Sequence, residues 1–354
     1  MSDSINITLH LFGRCGSLFF HGLYGDSSET YVVPGLAITE VVRLFSNSGK
    51  LLQKNEVINH FINHLYAPRL LEDCGLDNLG KGGESLNDLL PPLLLRKRIE
   101  EKMKDYEIID LPTSLDLIHK GCYDGECKNI NFIQIHEIYP KLSPFAINHL
   151  SPERKILLLR NPFENVESVI NWGLFRPNAY KNLLKVYQSI LGMTLICRIP
   201  DYLKNSIVIE LERFKIEESY RLSASKMLGF SASDRSSYFG YDYIGPPSNR
   251  SIVAKGFVSQ DRRATAYVCE GADLRMINCL MSPIFTYSSY NPMELNSILP
   301  QDLMPFENQF ISAMDPGEQD KIARVAKEFR LMAKKIIEES TFSHSAVHRL
   351  FRVD

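Results

Sequence analysis

Residues 155–170 read KILLLRNPFENVESVI, and this stretch decides the fold. The unbroken apolar run Ile156, Leu157, Leu158, Leu159 leaves no polar face, as in a strand buried on both sides. Asn161 is a helix-capping residue type and Pro162 suits a first helical position, so the strand passes at once into a helix. Repeated, that step builds a parallel sheet covered by helices. It recurs in both directions. Upstream, INITLHLF at 5–12 reads as a buried strand, residues 12–17 (FGRCGS) as a Gly-punctuated turn, and LFFHGLYG as a short helix beginning near Ser17. TYVVPG at 30–35 reads as a second short strand stopped by Pro34, and FIQIHE at 132–137 as another strand. Downstream, SIVIELE at 206–212 completes the set. The class is α/β: a three-layer sandwich with a central, mostly parallel sheet, a strand-loop-helix turn suited to phosphate, helical lid insertions at about 35–105, and a C-terminal helical extension.

Between these landmarks, residues 240–264 are rich in Gly, Pro, Ser and Arg and read as a long surface loop, followed by a helix over 272–281. A strongly charged helix is expected over 315–340. The 40 Lys and Arg against 42 Asp and Glu give a formal charge of −2, which argues against a general nucleic-acid partner while leaving room for a local basic cleft. No apolar run has the eighteen or so residues of a membrane span, and MSDSINITLHLF has neither the basic stretch nor the apolar core of a signal peptide. A cytoplasmic location is the expectation. Seven scattered cysteines then read as reduced thiols, and the Cys122–Cys127 spacing is no tight zinc knuckle. His60 and His64, and likewise His344 and His348, are four apart and share a helix face, but neither pair has a third ligand close by in sequence.

Two segments carry candidate chemistry. The turn Gly13-Arg14-Cys15-Gly16-Ser17 leaves a strand and opens a helix, so backbone N–H groups and a helix N-terminus converge where an anion can sit. The terminal Lys-Ser/Thr pair of a nucleotide-triphosphate loop is absent, which disfavours ATP hydrolysis. Gly13 and Gly16 serve a ligand-free tight turn equally well. At the second segment Arg160 ends its strand, at the edge where open α/β sheets bind ligands, and Ser168 follows eight residues on. The bland alternative pairs Arg160 with Glu164 or Glu167 and leaves Ser168 an exposed helix serine.

Together the segments resemble the sulfotransferases that use 3′-phosphoadenosine 5′-phosphosulfate (PAPS). Arg14-Cys15-Gly16-Ser17 resembles the family's 5′-phosphosulfate loop, with Leu18 where a second hydroxyl residue is common, and Arg160, Asn161, Pro162 and Ser168 match its 3′-phosphate motif without a gap. VIELERF and the helix end MLGF (227–230) extend the similarity, and Lys255-Gly256 is a two-residue match to a late loop. The resemblance spans residues 5–290 and implies a sulfotransferase-like domain over 1–295 with the extension over 296–354 packed on it. It implies a metal-free transfer of a sulfuryl group from PAPS to a hydroxyl of a small-molecule or glycan acceptor, carbohydrate being the favoured class. Arg14, Cys15, Gly16, Ser17, Leu18, Arg160 and Ser168 would bind the nucleotide, Arg14 would also offset charge on the leaving oxygen, and His136 would be the general base, with Glu137 or a lid carboxylate as the alternative. Gln134 stands where relatives often have Lys. Trp172 and Phe175 are candidates to stack on adenine, or ordinary core aromatics. A non-catalytic nucleotide- or glycan-binding relative, and a nucleotide kinase, are the competing readings.

Overall fold

The structure, a computed structural model, describes residues 4–12, 20, 24, 27–33, 35–66, 91–123, 128–137, 142–174, 177–196, 198, 204–230, 237–241, 252–256, 268–269, 271–292, 304–339 and 351–352. In chain order the elements are β1 (Ile5–Phe12), β2 (Thr30–Val32), α1 (Gly35–Ser48), β3 (Leu51–Gln53), α2 (Lys54–Leu65), α3 (Pro92–Lys102), β4 (Ile108–Asp110) and α4 (Leu111–Cys122). There follow β5 (Ile130–Glu137), α5 (Leu142–Leu150), β6 (Arg154–Leu159), α6 (Pro162–Leu174), α7 (Ala179–Ile196), β7 (Ser206–Glu210), α8 (Leu211–Ile216) and α9 (Glu218–Leu228). The last are β8 (Ser237–Tyr241), β9 (Ile252–Gly256), α10 (Ala272–Leu280), α11 (Ser282–Tyr287), α12 (Pro305–Ser312), α13 (Pro316–Glu339) and β10 (Phe351–Arg352).

Six strands form one sheet in the order β10-β7-β6-β1-β5-β2, and every pairing in it is parallel. Successive residues of β5 serve two different cores. Ile130 and Phe132 join a cluster with Ile7, Leu158 and Phe230, whereas Ile133 and Ile135 join another with Ile38 and Val41 of α1. Helices therefore cover both faces of the sheet, which is why its strands read as continuous apolar runs. Phe20 and Tyr24, both helical and fully buried, pack into this core: Phe20 meets Phe214 at 5.0 Å and Tyr24 meets Phe132 at 4.9 Å between ring centroids. α9 ends at Gly229, whose φ of 76° is the left-handed conformation of a helix C-cap, and a side chain there would also collide with the Arg154 guanidinium. The charged helix expected over 315–340 is α13; it buries Ile322, Ala326, Phe329 and Ala333, an i, i+4, i+7, i+11 stripe, in the same cluster as β6 and β7.

The structure departs from the sequence reading in four places. β7 stops two residues short of the expected strand, because Leu211 opens α8 and carries Glu212 into its first turn. Within the expected loop 240–264, β8 and β9 form an antiparallel pair, and the other residues of that loop lie outside those described. The segment 35–105 holds β3, which pairs antiparallel with β4, as well as helices. β10, only two residues long, carries no periodic signal at all; it is a strand because β7 offers it an edge.

A buried polar network ties α13 to this frame. Glu307 of α12, fully buried, accepts hydrogen bonds from the Tyr187 hydroxyl, from Arg330 Nη2 at 3.0 Å and from the Met304 N–H at 2.7 Å. Asp273, also fully buried, faces this charge, and burial together with Glu307 pushes its carboxyl up from 3.8 to about 7. A raised carboxyl pKa means that the folded state holds the proton longer than the unfolded chain does. Its contribution to stability is thus full below about pH 4, is lost as pH rises to about 7, and is constant above. Asp273→Asn should therefore gain stability over the parent at pH 8 and gain little at pH 4. Urea midpoints at the two pH values test this; parallel curves would show that Asp273 does not titrate in this window.

Candidate active site at the carboxyl edge of the sheet

β1 is paired on both sides, and its registers align the ends of four strands. Phe12 stands opposite Glu137 of β5; the β1–β6 offset set by His10 and Leu157 puts Phe12 level with Leu159; and Leu159 stands opposite Glu210 of β7. The chain leaves β1 toward β2 on one side and leaves β6 toward β7 on the other. Oppositely directed connections from neighbouring strands open a crevice at their carboxyl ends, the usual ligand position in such sheets. Arg160 follows directly from β6 at that edge, whereas Gly13, which follows β1 in sequence, lies outside the described residues. Arg14, Cys15, Gly16, Ser17 and Leu18 themselves lie outside the described residues, as do His344, His348 and Phe175.

At β6 the local reading holds in detail. Pro162 is the first residue of α6, and Asn161 Oδ1 accepts the Phe163 N–H at 3.0 Å. Arg160 is half-buried and ion-paired, to Glu164 at 3.8 Å and to Glu212 at 3.6 Å; Glu167, the other partner considered, instead accepts the Cys269 N–H at 3.0 Å. Ser168 lies one turn beyond Glu164 on the same stripe of α6. Trp172 lies a further turn along, with the Lys185 ammonium 5.6 Å from its ring centroid.

Glu212 is the residue that sequence reading missed. It accepts from the Tyr290 hydroxyl and, at 3.3 Å, from the Asn161 N–H, and burial raises its carboxyl pKa despite Arg160 and Tyr290. Beside it Glu210 holds the chain after α11 in place by accepting the Ser289 N–H at 2.7 Å. Two carboxylates at the end of an apolar strand, in SIVIELE, are the sequence signal that marks them.

His136 sits on β5 one residue before the strand end, level with Leu11 of β1. β2 stops at Val32, opposite Phe132, so the outer edge of β5 is open beyond that point and α1 closes it. The His136 N–H donates to Thr39 Oγ1 at 2.8 Å, and Thr39 passes its own proton to the Gly35 carbonyl at 2.6 Å. Desolvation pushes the His136 imidazole down to about 4, so it is neutral at pH 7 with a lone pair to offer. Gln134, on the same face of β5, is buried, and its Nε2 finds no hydrogen-bond partner among the described residues.

α1 can approach so closely only because residue 35 has no side chain. A Cβ there would stand 2.7 Å from His136 Cδ2 and 2.8 Å from Gln134 Cβ. Gly35→Ala should therefore destabilise by about 1–3 kcal/mol in spite of alanine's better helix propensity, and removing the ring in Gly35→Ala/His136→Ala should recover part of the loss. Equal denaturation midpoints for parent and Gly35→Ala would refute the contact. No protein-family model, no curated protein and no solved structure matches the chain.

Proposed function

We propose that the protein transfers a sulfuryl group from PAPS to an acceptor hydroxyl, with a carbohydrate the favoured acceptor. The observation that supports this reading is the common register of β5, β1, β6 and β7, which brings His136, the carboxyl end of β1 and Arg160 to one edge of the sheet. Arg14 and the N–H groups of Gly16 and Ser17 would hold the 5′-phosphate, and Arg160 with Ser168 the 3′-phosphate that separates PAPS from ordinary adenine nucleotides. In the reaction the acceptor oxygen bonds to sulfur as sulfur parts from the bridging phosphate oxygen, whose negative charge Arg14 offsets. The acceptor proton passes to His136, and adenosine 3′,5′-bisphosphate leaves. Since the imidazole is already neutral, the acidic fall in rate should lie near pH 4 rather than near 6.5.

Glu212 and Glu164 beside Arg160 favour a second reading, a nucleotide- or glycan-binding protein without transferase activity, since both carboxylates compete with an anion for the guanidinium. Sulfuryl transfer from labelled PAPS to a panel of sugar, phenol and peptide acceptors separates the two.

Calorimetry should find adenosine 3′,5′-bisphosphate bound more tightly than AMP or ATP, with Ser168→Ala weakening it by about 1–2 kcal/mol. Equal affinity for AMP removes the argument for PAPS. A carboxylate with a raised pKa beside the 3′-phosphate is repulsive when ionised and harmless when protonated, so bisphosphate affinity should rise as pH falls. Glu212→Gln should bind more tightly at neutral pH and lose much of that pH dependence. An unchanged pH dependence would place Glu212 outside the nucleotide site. His136→Ala should keep nucleotide affinity and lose transfer by about a hundredfold or more. Retained transfer would pass the role of base to a carboxylate, Glu137 first.

A further inference from the structure

A second constellation lies on α1 and α2. His60 and His64 are one helical turn apart on α2, and their rings face each other with centroids 4.1 Å apart. Alone such a pair offers two ligands. The packing of α1 against α2 supplies a third: a carboxylate oxygen of Glu40 and a ring nitrogen of each histidine all lie within 4.8 Å of one another. The third ligand is twenty residues upstream of the first histidine, which is why the spacing in sequence does not reveal it.

The hydrogen bonds around the rings prepare them for a metal. His64 Nδ1 stands 2.8 Å from the His60 carbonyl, and a carbonyl only accepts, so Nδ1 carries the proton and Nε2 keeps a lone pair. That Nε2 points toward Glu40, 3.9 Å from Oε2. His60 Nε2 in turn stands 3.1 Å from the Glu40 carbonyl, which leaves its other nitrogen unprotonated. An N–H anchored on a backbone carbonyl is the usual support of a metal-bound imidazole, fixing tautomer and ring orientation. Burial and the neighbouring His64 both lower the His60 pKa, so that ring resists protonation, the main competitor of metal binding.

We propose that Glu40, His60 and His64 bind a divalent cation of the zinc type. Two imidazoles and one carboxylate suit borderline cations better than magnesium or calcium, which prefer all-oxygen sets. Ligand atoms sharing a tetrahedral zinc stand roughly 3.5 Å apart, so small rotamer changes of half-exposed side chains complete the site. With three protein ligands, the fourth position is open to water. Arg43 opposes binding: it forms an ion pair with Glu40 from the next turn of α1. It occupies the carboxylate and repels the cation, and must swing away. The ion would bridge α1 to α2 and stiffen the helix whose Thr39 holds the His136 N–H.

The test uses the full chain stripped with a chelator and titrated with zinc chloride in a calorimeter, with cobalt(II) absorption as a second readout. Other histidines and cysteines also take up zinc, so the comparison is with variants. His64→Ala and Glu40→Gln, both at partly exposed positions, should each lose the tightest equivalent or weaken it by about tenfold or more. Arg43→Ala should tighten it several-fold, which a merely structural role for Glu40 does not explain. Zinc should raise the melting temperature of the parent and not that of His64→Ala. The proposal is overturned if the parent binds no zinc, or if His64→Ala and Glu40→Gln bind it as the parent does. None of these readouts depends on sulfuryl transfer, so the outcome is separate from the fate of the proposed activity.

Discussion

Hydrogen bonding of β1 on both sides, to β5 and to β6, is the constraint from which the rest of the molecule follows. A strand paired on both edges fixes its neighbours' registers to the residue. Those registers bring the ends of β5, β1, β6 and β7 level. A slip of one residue in any pair would turn alternate side chains to the opposite core and carry His136 or Glu210 away from the edge. The candidate edge is thus maintained by the whole ladder of pairings, and its precision is paid for in buried apolar area elsewhere.

At that edge the charges are balanced against one another. Arg160 has two carboxylates for company, Glu212 is held by a tyrosine hydroxyl and a backbone N–H, and His136 is kept neutral by desolvation. A guanidinium already paired binds an arriving anion only by exchanging partners, which makes the affinity depend on how readily Glu212 takes a proton. The two carboxylates also offset the cost of keeping the Arg160 guanidinium half-buried. In the proposed reaction the two carboxylates set the balance between binding the nucleotide and releasing it.

α1 connects this edge with the second constellation. Its first residue, Gly35, lies against Gln134 and His136, its second turn offers Thr39 to the His136 N–H, and the next residue is Glu40. One helix therefore positions the candidate base on one side and a metal ligand on the other. Movement of α1 is limited by both contacts, so the two places share a mechanical support even though they involve different chemistry.

Much of the fold was legible in the chain itself. β1 and β6, the cap at Asn161, the helix start at Pro162 and the charged helix α13 follow from period, capping chemistry and apolar runs, all of which are local. Arg160 and His136 were found at their strand ends for the same reason. What the sequence left open was decided by contacts between distant segments. β10 exists only beside β7, β8 needs β9, and Glu212 meets Arg160 across fifty-two residues. Glu40 joins the two histidines only after α1 packs on α2. Periodicity reports which face of an element is apolar; which polar groups then meet is set by the register and packing of elements far apart in the chain, and no local pattern encodes it.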